Sequence, residues 1–404
     1  RIMKNYINSQ GFVSVGDTTN TLYIQENVQV TGSFSSTGSI SMNATTVKAI
    51  KGPSITVGNA LRGDTINDCD YLDAGDGVQL QAALTAAGAR TCDVFVREGI
   101  YTLATPLTVP TLVTVEFAAG FGTVLRNTAT SRSVISFAGL ARAKNLYIEL
   151  ATPPTLGATG TNLITIATEV FIDNCYIYRA YSNLVGNLTN ESLRWAISGS
   201  ECFGAQINHA IIYGMSFEQV GITTTSFTAI GAESANTNNG IKIIGSTINT
   251  ADNGIAMVGP GLVEGFGMRG IHYNGFVLGA KAGTQNAQVI ANGNVILQPA
   301  FTTLPAYGAT VDTGTATGGP FGTKISNVSF TKVGTLNTGS VGIRAIGTGS
   351  GTQISFCSFD TYPTAITASA TQTNMVVVGN VAKTVTNGYL VQSSGSVVAN
   401  NIVI

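Results

Sequence analysis

The feature that most constrains this chain is a short phrase in which one β-branched or aliphatic residue is followed five positions later by another apolar residue. In the C-terminal third it reads Ile325/Phe330, Ile354/Phe359, Val376/Val381 and Val397/Ile402, the second members standing 29, 22 and 21 residues apart. Upstream the phrase is found at Ile172/Ile177, Ile212/Phe217, Ile243/Ile248 and Ile290/Val295, separated by longer and less regular stretches. A unit this short cannot bury its apolar face alone and must stack on its neighbours, so the phrase predicts a solenoid. Between the two apolar residues stand small or amide residues such as Asn174-Cys175, Gly245-Ser246, Asn327-Val328, Gly379-Asn380 and Asn400-Asn401. Asn and Gly tolerate left-handed backbone, which suits a tight bend between two strands of one coil. Apolar residues are then expected in columns inside the rod, with Asn able to ladder on Asn.

Composition agrees with that picture. Charged residues make up 10% of the chain, against about 25% in ordinary globular domains. Hydrophobic content of 44% argues against disorder, which requires low hydrophobicity and high net charge. With a net charge of −1 and no basic run, nucleic acid is not an expected partner. No apolar run reaches membrane-spanning length and no secretory apolar region is visible, so the expectation is a soluble chain without a signal peptide or membrane insertion. The five cysteines, Cys69, Cys92, Cys175, Cys202 and Cys357, form no Cys-x-x-Cys pair, which argues against a zinc site and a dense disulfide framework. They are expected as buried free thiols, and no metal or cofactor is expected.

Three regions differ in texture. Residues 1–62 hold short alternating pieces such as Val28-Gln29-Val30-Thr31-Gly32-Ser33-Phe34, too thin for a core of their own and expected to pair with copies of themselves. Their Val-x-Val-Thr-Gly phrasing resembles attachment segments of phage fibre proteins, which are usually trimeric. In residues 63–126, Asp76-Gly77 leads into an expected helix over about 76–88. Val78, Leu80, Gln81, Ala83, Leu84 and Ala87 share one face of it, and Gly88 is the expected stop. After it come Val94-Phe95-Val96, Glu98-Gly99-Ile100-Tyr101-Thr102-Leu103, Pro106-Leu107-Thr108-Val109-Pro110 and Gly120-Phe121-Gly122-Thr123-Val124-Leu125. From there to residue 404 the chain reads as rungs.

The order of residues 73–125 resembles the opening of the pectate-lyase-like superfamily, and of viral tailspikes within it, departing at Glu116-Phe117-Ala118-Ala119, where Gly is more usual. The resemblance implies an all-β, right-handed parallel β-helix solenoid with an N-terminal capping helix, preceded by a short β-rich attachment segment. The expected division is 1–62 for attachment and trimerisation, and 63–404 for the β-helix with rungs from about 94.

Function is then expected in the insertions at 179–208, 260–288 and 299–323, because loops on a rigid scaffold carry binding. Of the polygalacturonase motifs of the superfamily, only Asn249-Thr250-Ala251-Asp252-Asn253-Gly254-Ile255 approaches one; there is no Asp-Asp pair and no Gly-His-Gly. The acids a glycan-cleaving β-helix would draw on are Glu191, Glu201 and Glu218, with Glu233, Asp252 and Glu264 behind them. Trp195, the single Trp, stands next to Arg194 and near Tyr181 and Tyr178, an aromatic platform with a cation of the kind a sugar-binding groove uses. His209 and His272 have no ligand spacing and are expected to be structural. The leading expectation is a virion surface protein, a homotrimer of tailspike, fibre or capsid-decorating type. It would attach to other virion proteins through residues 1–62 and touch a host surface glycan through its loops. The alternatives are a polysaccharide-degrading depolymerase and a cellular surface adhesin.

Overall fold

In a computed structural model the protein is described over residues 54–128, 133–151, 162–179, 195–199, 202–215, 228–232, 240–279, 287–299, 304–312 and 322–404. Residues 1–53, which hold most of the expected attachment segment, lie outside the described residues. Among the described residues every strand pairing is parallel, and the strands sort into three sheets that the chain visits in turn. Sheet A begins with Tyr71–Asp73, Ile55–Asn59 and Val94–Val96 and rises through Thr114–Phe117 and the first halves of Arg142–Leu150, Phe171–Arg179 and Gln206–Met215. It ends with Gln353–Ser355, Val376–Val378 and Val397–Ala399. Sheet B begins with Gly99–Leu103 and Thr123–Asn127, continues through the second halves of those long strands, and ends with Ser358–Asp360, Val381–Lys383 and Ile402–Val403. Sheet C runs from Leu107–Val109 and Ile135–Phe137 through Asn162–Thr165, Trp195–Ser198 and Tyr307–Asp312 to Asn387–Val391. This is a parallel β-helix, with each coil contributing one strand to each sheet. Ile55–Asn59 stands before the expected boundary at 62 yet pairs with Val94–Val96, so the rod reaches back to residue 55.

The five-residue phrase is the A–B corner. Its left-handed residue is Asn145, Asn174, His209, Gly245, Gly265, Asn292, Asn327, Phe356, Gly379 and Asn400 in successive coils, with φ between 51° and 65°. That residue stands two positions after the inward residue of sheet A, as in Ile172–Asn174 and Ile325–Asn327, and the inward residue of sheet B follows three later. Three phrases are therefore re-registered. The inward pairs are Ile207/Ile212, Val377/Ala382 and Val398/Val403, because Ile354 faces Val377 and Val377 faces Val398. In the run Val376-Val377-Val378 the apolar pattern is ambiguous. The bend decides it: a β-branched Val is poorly suited to left-handed backbone, and Gly379 takes that position. The expected Asn ladders form between Asn174 and Asn145 (2.7 Å), Asn327 and Asn292 (2.8 Å), and Asn380 and Asn401 (2.9 Å).

Inside, the columns are dry: Ile172, Ile207, Ile243, Ile290 and Ile325 are fully buried, and Phe330 stacks face to face on Phe359 with centroids 5.3 Å apart. The rod's first end is covered by helix α1, Val78–Arg90, which packs over Ile55–Asn59, Tyr71–Asp73, Val94–Val96 and Leu107–Val109. Leu80, Ala83, Leu84 and Ala87 are its buried face, whereas Val78 is exposed. Its start is held by buried Asp73. Oδ1 of Asp73 accepts from the backbone N–H groups of Gly75, Asp76 and Gly77, and Oδ2 from Leu80 N–H at 2.9 Å, which satisfies donors that a helix start leaves orphaned. Gly88 does not stop the helix. It lies inside it against Pro110, where a Cβ would come within 2.7 Å, and Thr91 (φ 54°) is the left-handed cap.

Candidate functional site

Of the residues expected to form a site, Glu191, Glu201, Glu218, Glu233, Arg194 and Tyr181 lie outside the described residues. Trp195 opens the sheet C strand Trp195–Ser198, and its ring lies over Gly231 of the next coil, where a Cβ would sit 2.1 Å from the ring. The glycine makes room for the indole, so Trp195 packs on the scaffold. The expected loop at 260–288 is largely not a loop. Gly261–Glu264 and Gly267–Gly279 are strands, and Phe266, His272 and Phe276 are buried. The variable spacing there reflects a strand that runs on from sheet B into sheet C through a bulge, which periodicity does not distinguish from an insertion. At that bulge buried Asp252 meets His272 Nδ1 at 3.3 Å. Glu264 accepts from Asn292 Nδ2 at 3.1 Å. In the other expected loops, Trp195–Ser198 and Tyr307–Asp312 are strands as well.

The outward positions that do gather chemistry lie on either side of the A–B corner in the first half of the rod. On sheet B, Tyr147, Tyr176, Tyr178 and Tyr213 form, with Phe121 in the turn Ala119–Phe121 just before the sheet, a continuous aromatic stripe with ring centroids 5.0 to 6.4 Å apart. Register builds it: Tyr147 pairs with Tyr176, and Tyr178 with Tyr213. The rings are partly exposed, Tyr213 at 42%. Exposed aromatics scattered singly need no explanation, but a contiguous patch of them does. Burial by neighbouring rings, with Glu149 adding repulsion, holds the Tyr147 phenol above its ordinary range, and burial does the same to Tyr176.

On sheet A a polar groove accompanies the stripe. One cavity of about 510 Å³ is lined by Arg62, Asp64, Phe95, Arg97, Glu98 and Glu116, and another of about 390 Å³ by Leu140, Arg142, Glu169, Phe171 and Gln206. Each offers one Phe ring flanked by Arg and Glu. Most of the charge is internally paired: Arg62 with Glu98 (2.7 Å), Arg97 with Asp64 (2.8 Å), Lys144 with Glu116 (3.7 Å) and Arg126 with Glu149, while His209 Nδ1 is hydrogen-bonded to Asp173 Oδ1 (3.0 Å). Partly exposed pairs of this kind are worth at most about 1 kcal/mol each in stability, so their consequence is fixed geometry and a locally neutral field. Among the described residues no group of three or more His, Cys, Asp or Glu is arranged to hold a metal ion, and no helix is long and apolar enough to cross a membrane. Aromatic faces beside fixed donors and acceptors can bind a polyhydroxyl ligand by stacking and hydrogen bonding. The sequence signal for the stripe was the Tyr176-Ile177-Tyr178 alternation, with Tyr147 and Tyr213 in neighbouring coils; it could be assembled only once the coil register was known.

No protein-family model matches the chain, and no curated protein matches it in sequence. Solved structures do. The catalytic unit of a thermostable GH87 α-1,3-glucanase from Streptomyces thermodiastaticus strain HF3-3 is similar at 10% identity and TM-score 0.52, over 87% of this chain and 70% of that one. The Dettilon tailspike protein (10% identity, TM-score 0.45, 86% and 68% covered) and PfbA, a surface adhesin of Streptococcus pneumoniae (11%, 0.37, 81% and 90%), are more distant. The fold shared with the glucanase is the parallel β-helix. At these identities the likeness speaks for the fold and leaves activity to the chain's own residues.

Proposed function

We propose that this protein is a glycan-binding β-helix of a virion surface, whose sugar-contacting face is the A–B corner in the first half of the rod. The observation that carries the binding is the aromatic stripe from Phe121 to Tyr213: five rings in contact, partly exposed, beside a groove whose charges are fixed in pairs. Rings at outward positions of a rod add little to its core, and their open faces suit the apolar faces of sugars. The virion role draws on the fibre-like phrasing of residues 1–62 and on the tailspike-like order of residues 73–125. In that role the protein is a homotrimer that attaches through its N-terminal segment.

The test is binding of the full chain to a panel of neutral and acidic surface polysaccharides, compared with the double variant Y176A/Y213A. Loss of two stacking rings, at about 0.5–1.5 kcal/mol each, is expected to weaken capture roughly tenfold with the fold intact by circular dichroism. Undiminished capture by the double variant would remove the stripe from the binding face. Mass spectrometry of purified particles tests the virion role, and light scattering tests the trimer; absence from particles, or a monomer, would refute each.

Glycan cleavage is the second reading. Its support is the position in sequence of Glu191 and Glu218, on segments that follow directly from the stripe strands Phe171–Arg179 and Gln206–Met215, together with Glu201 and the glucanase among the fold's neighbours. It predicts turnover of a panel polysaccharide that is abolished by E191Q, E201Q or E218Q.

A further inference from the structure

Past Tyr213 the outward positions of sheet B change from rings to polar groups while keeping the line of the stripe. Tyr178 pairs with Tyr213, Tyr213 with Asn249 and Asn249 with Arg269, so one outward column runs through these successive coils. Beside it a second column runs from Tyr176 through Ile211, Thr247 and Gly267 to Asn294. At about 4.8 Å per coil, Arg269 stands roughly 10 Å along the rod from Tyr213. Gly267 leaves its outward position without a side chain, and a Cβ there would lie 3.3 Å from Asn294 Oδ1 and 4.0 Å from Thr247 Oγ1. The gap is therefore a small notch between an amide and a hydroxyl. Arg269 stands beside it, two residues along the same strand, and is exposed like Thr247 and Asn294.

An exposed arginine alone is an ordinary solvated group, and this one is set apart by what surrounds it. Among the described residues it meets no carboxylate: Glu149 is held by Arg126, Asp173 by His209 and Glu264 by Asn292. Its in-register neighbours, Asn249 and Ile296, are neutral. Its charge is thus left over on a stretch where the neighbouring charges are matched, next to a polar notch and in line with stacking rings. The planar guanidinium fork matches a carboxylate through two parallel hydrogen bonds. We propose that Arg269 and the Gly267 notch form an acidic-sugar subsite at the end of the stripe. A glycan lying along the rod stacks on the rings and places the carboxylate of one sugar on Arg269, while Thr247, Asn249 and Asn294 meet its hydroxyls. This rests on the glycan-binding reading and gives it a substrate class, a carboxylate-bearing polysaccharide.

The full chain, R269Q, R269K and Y176A/Y213A are compared in thermal unfolding and in capture by immobilised polysaccharides. The carboxylated probes are hyaluronan, alginate, xanthan and gellan, each beside its carboxyl-reduced form; dextran and starch are the neutral probes, and dextran sulfate reports charge alone. The parent is expected to capture a carboxylated polymer better than its reduced form. R269Q is expected to lose about tenfold on that polymer, the size of one charge-assisted hydrogen bond, and nothing on the reduced form. R269K, which keeps the charge without the fork, is expected to fall between them, and all variants to unfold at the parent's temperature. Undiminished capture by R269Q would overturn the subsite, as would an R269Q loss equal on carboxylated, reduced and sulfated polymers. A lower unfolding temperature for R269Q would mean that Arg269 braces the rod, and would also overturn it. A parent that captures neutral polymers and none of the carboxylated ones would overturn the subsite and leave the glycan-binding reading standing; capture of nothing would overturn both. The carboxylate-specific loss in R269Q with full capture by Y176A/Y213A would uphold Arg269 and refute the stripe.

Discussion

Cys357 follows Phe356 in the chain and faces the opposite way, into the rod. It is buried, with Sγ near the carbonyl oxygens of Ser355 (3.4 Å) and Ile325 (3.7 Å), and burial pushes its thiol up to about 11. Cys202 is pushed up to about 11 as well, and Cys175, wholly enclosed, moves in the same direction. These are the packed free thiols the sequence suggests, and they carry a pH signature. An unfolded thiol titrates near 8.5, so the neutral form favours the folded state at every pH below that. Stability is then lost as pH rises from about 8.5 towards about 11, because unfolding exposes a thiol that can ionise. Urea unfolding of the parent and C357A across pH 7 to 11 is expected to show a shallower alkaline decline in the variant. Equal slopes would mean that the Cys357 thiol reaches solvent in the folded protein.

At the scale of the element, each strand is defined by what its neighbours one coil away allow. The start of sheet C shows this through a column of glycines. A Cβ at Gly254, Gly275, Gly308 or Gly342 would lie 2.4 to 2.6 Å from the carbonyl oxygen of the next coil. The column ends at Ala365, where a methyl is accommodated. Gly308 and Gly342 are confined by the stacked phenylalanines too, since a methyl there would stand 2.4 Å from Phe330 Cδ1 and from Phe359 Cδ1 respectively. G308A is therefore expected to destabilise the protein by about 2 kcal/mol through overpacking, measured by denaturant unfolding. A neutral result would show that the coils separate enough to admit a methyl. Helix α1 obeys the same logic at the rod's first end: its apolar face covers the edge of the first coils, and Asp73 from the preceding strand fixes where it starts.

At the scale of the whole β-helix, a coil touches only the coils before and after it, so stability is a sum of local terms and nearest-neighbour interfaces. A core deletion should then be felt locally. F330A removes one of two stacked rings, at a cost of about 3–5 kcal/mol. Amide exchange is expected to accelerate in its neighbours Gln288–Leu297 and Ser358–Asp360 and to remain unchanged in Thr114–Phe117 and Thr123–Asn127. Uniform acceleration would mean that the rod unfolds as one cooperative unit. The same one-dimensional build explains how a face can be assembled from separate segments. The stripe draws rings from four stretches of chain, at 121, 147, 176–178 and 213, and only the stacking of coils makes them neighbours.

The sequence by itself determined the solenoid, its dry columns and the corner at which each coil turns. The five-residue spacing and the Asn or Gly inside it are local properties of backbone and side chain. It also specified an Asp-Gly-led helix over the first coils, whose first-turn N–H groups are met by Asp76 and by Asp73. What only the tertiary structure decided is register. Val377 rather than Val376 points inward because Gly379 claims the bend, and residues 267–279 are one strand because a bulge carries the chain round a corner without a loop. For the same reason the aromatic stripe was invisible one residue at a time. Which outward side chains meet depends on how many residues each coil spends before returning to the same sheet, a length set by non-local pairing with the neighbouring coil.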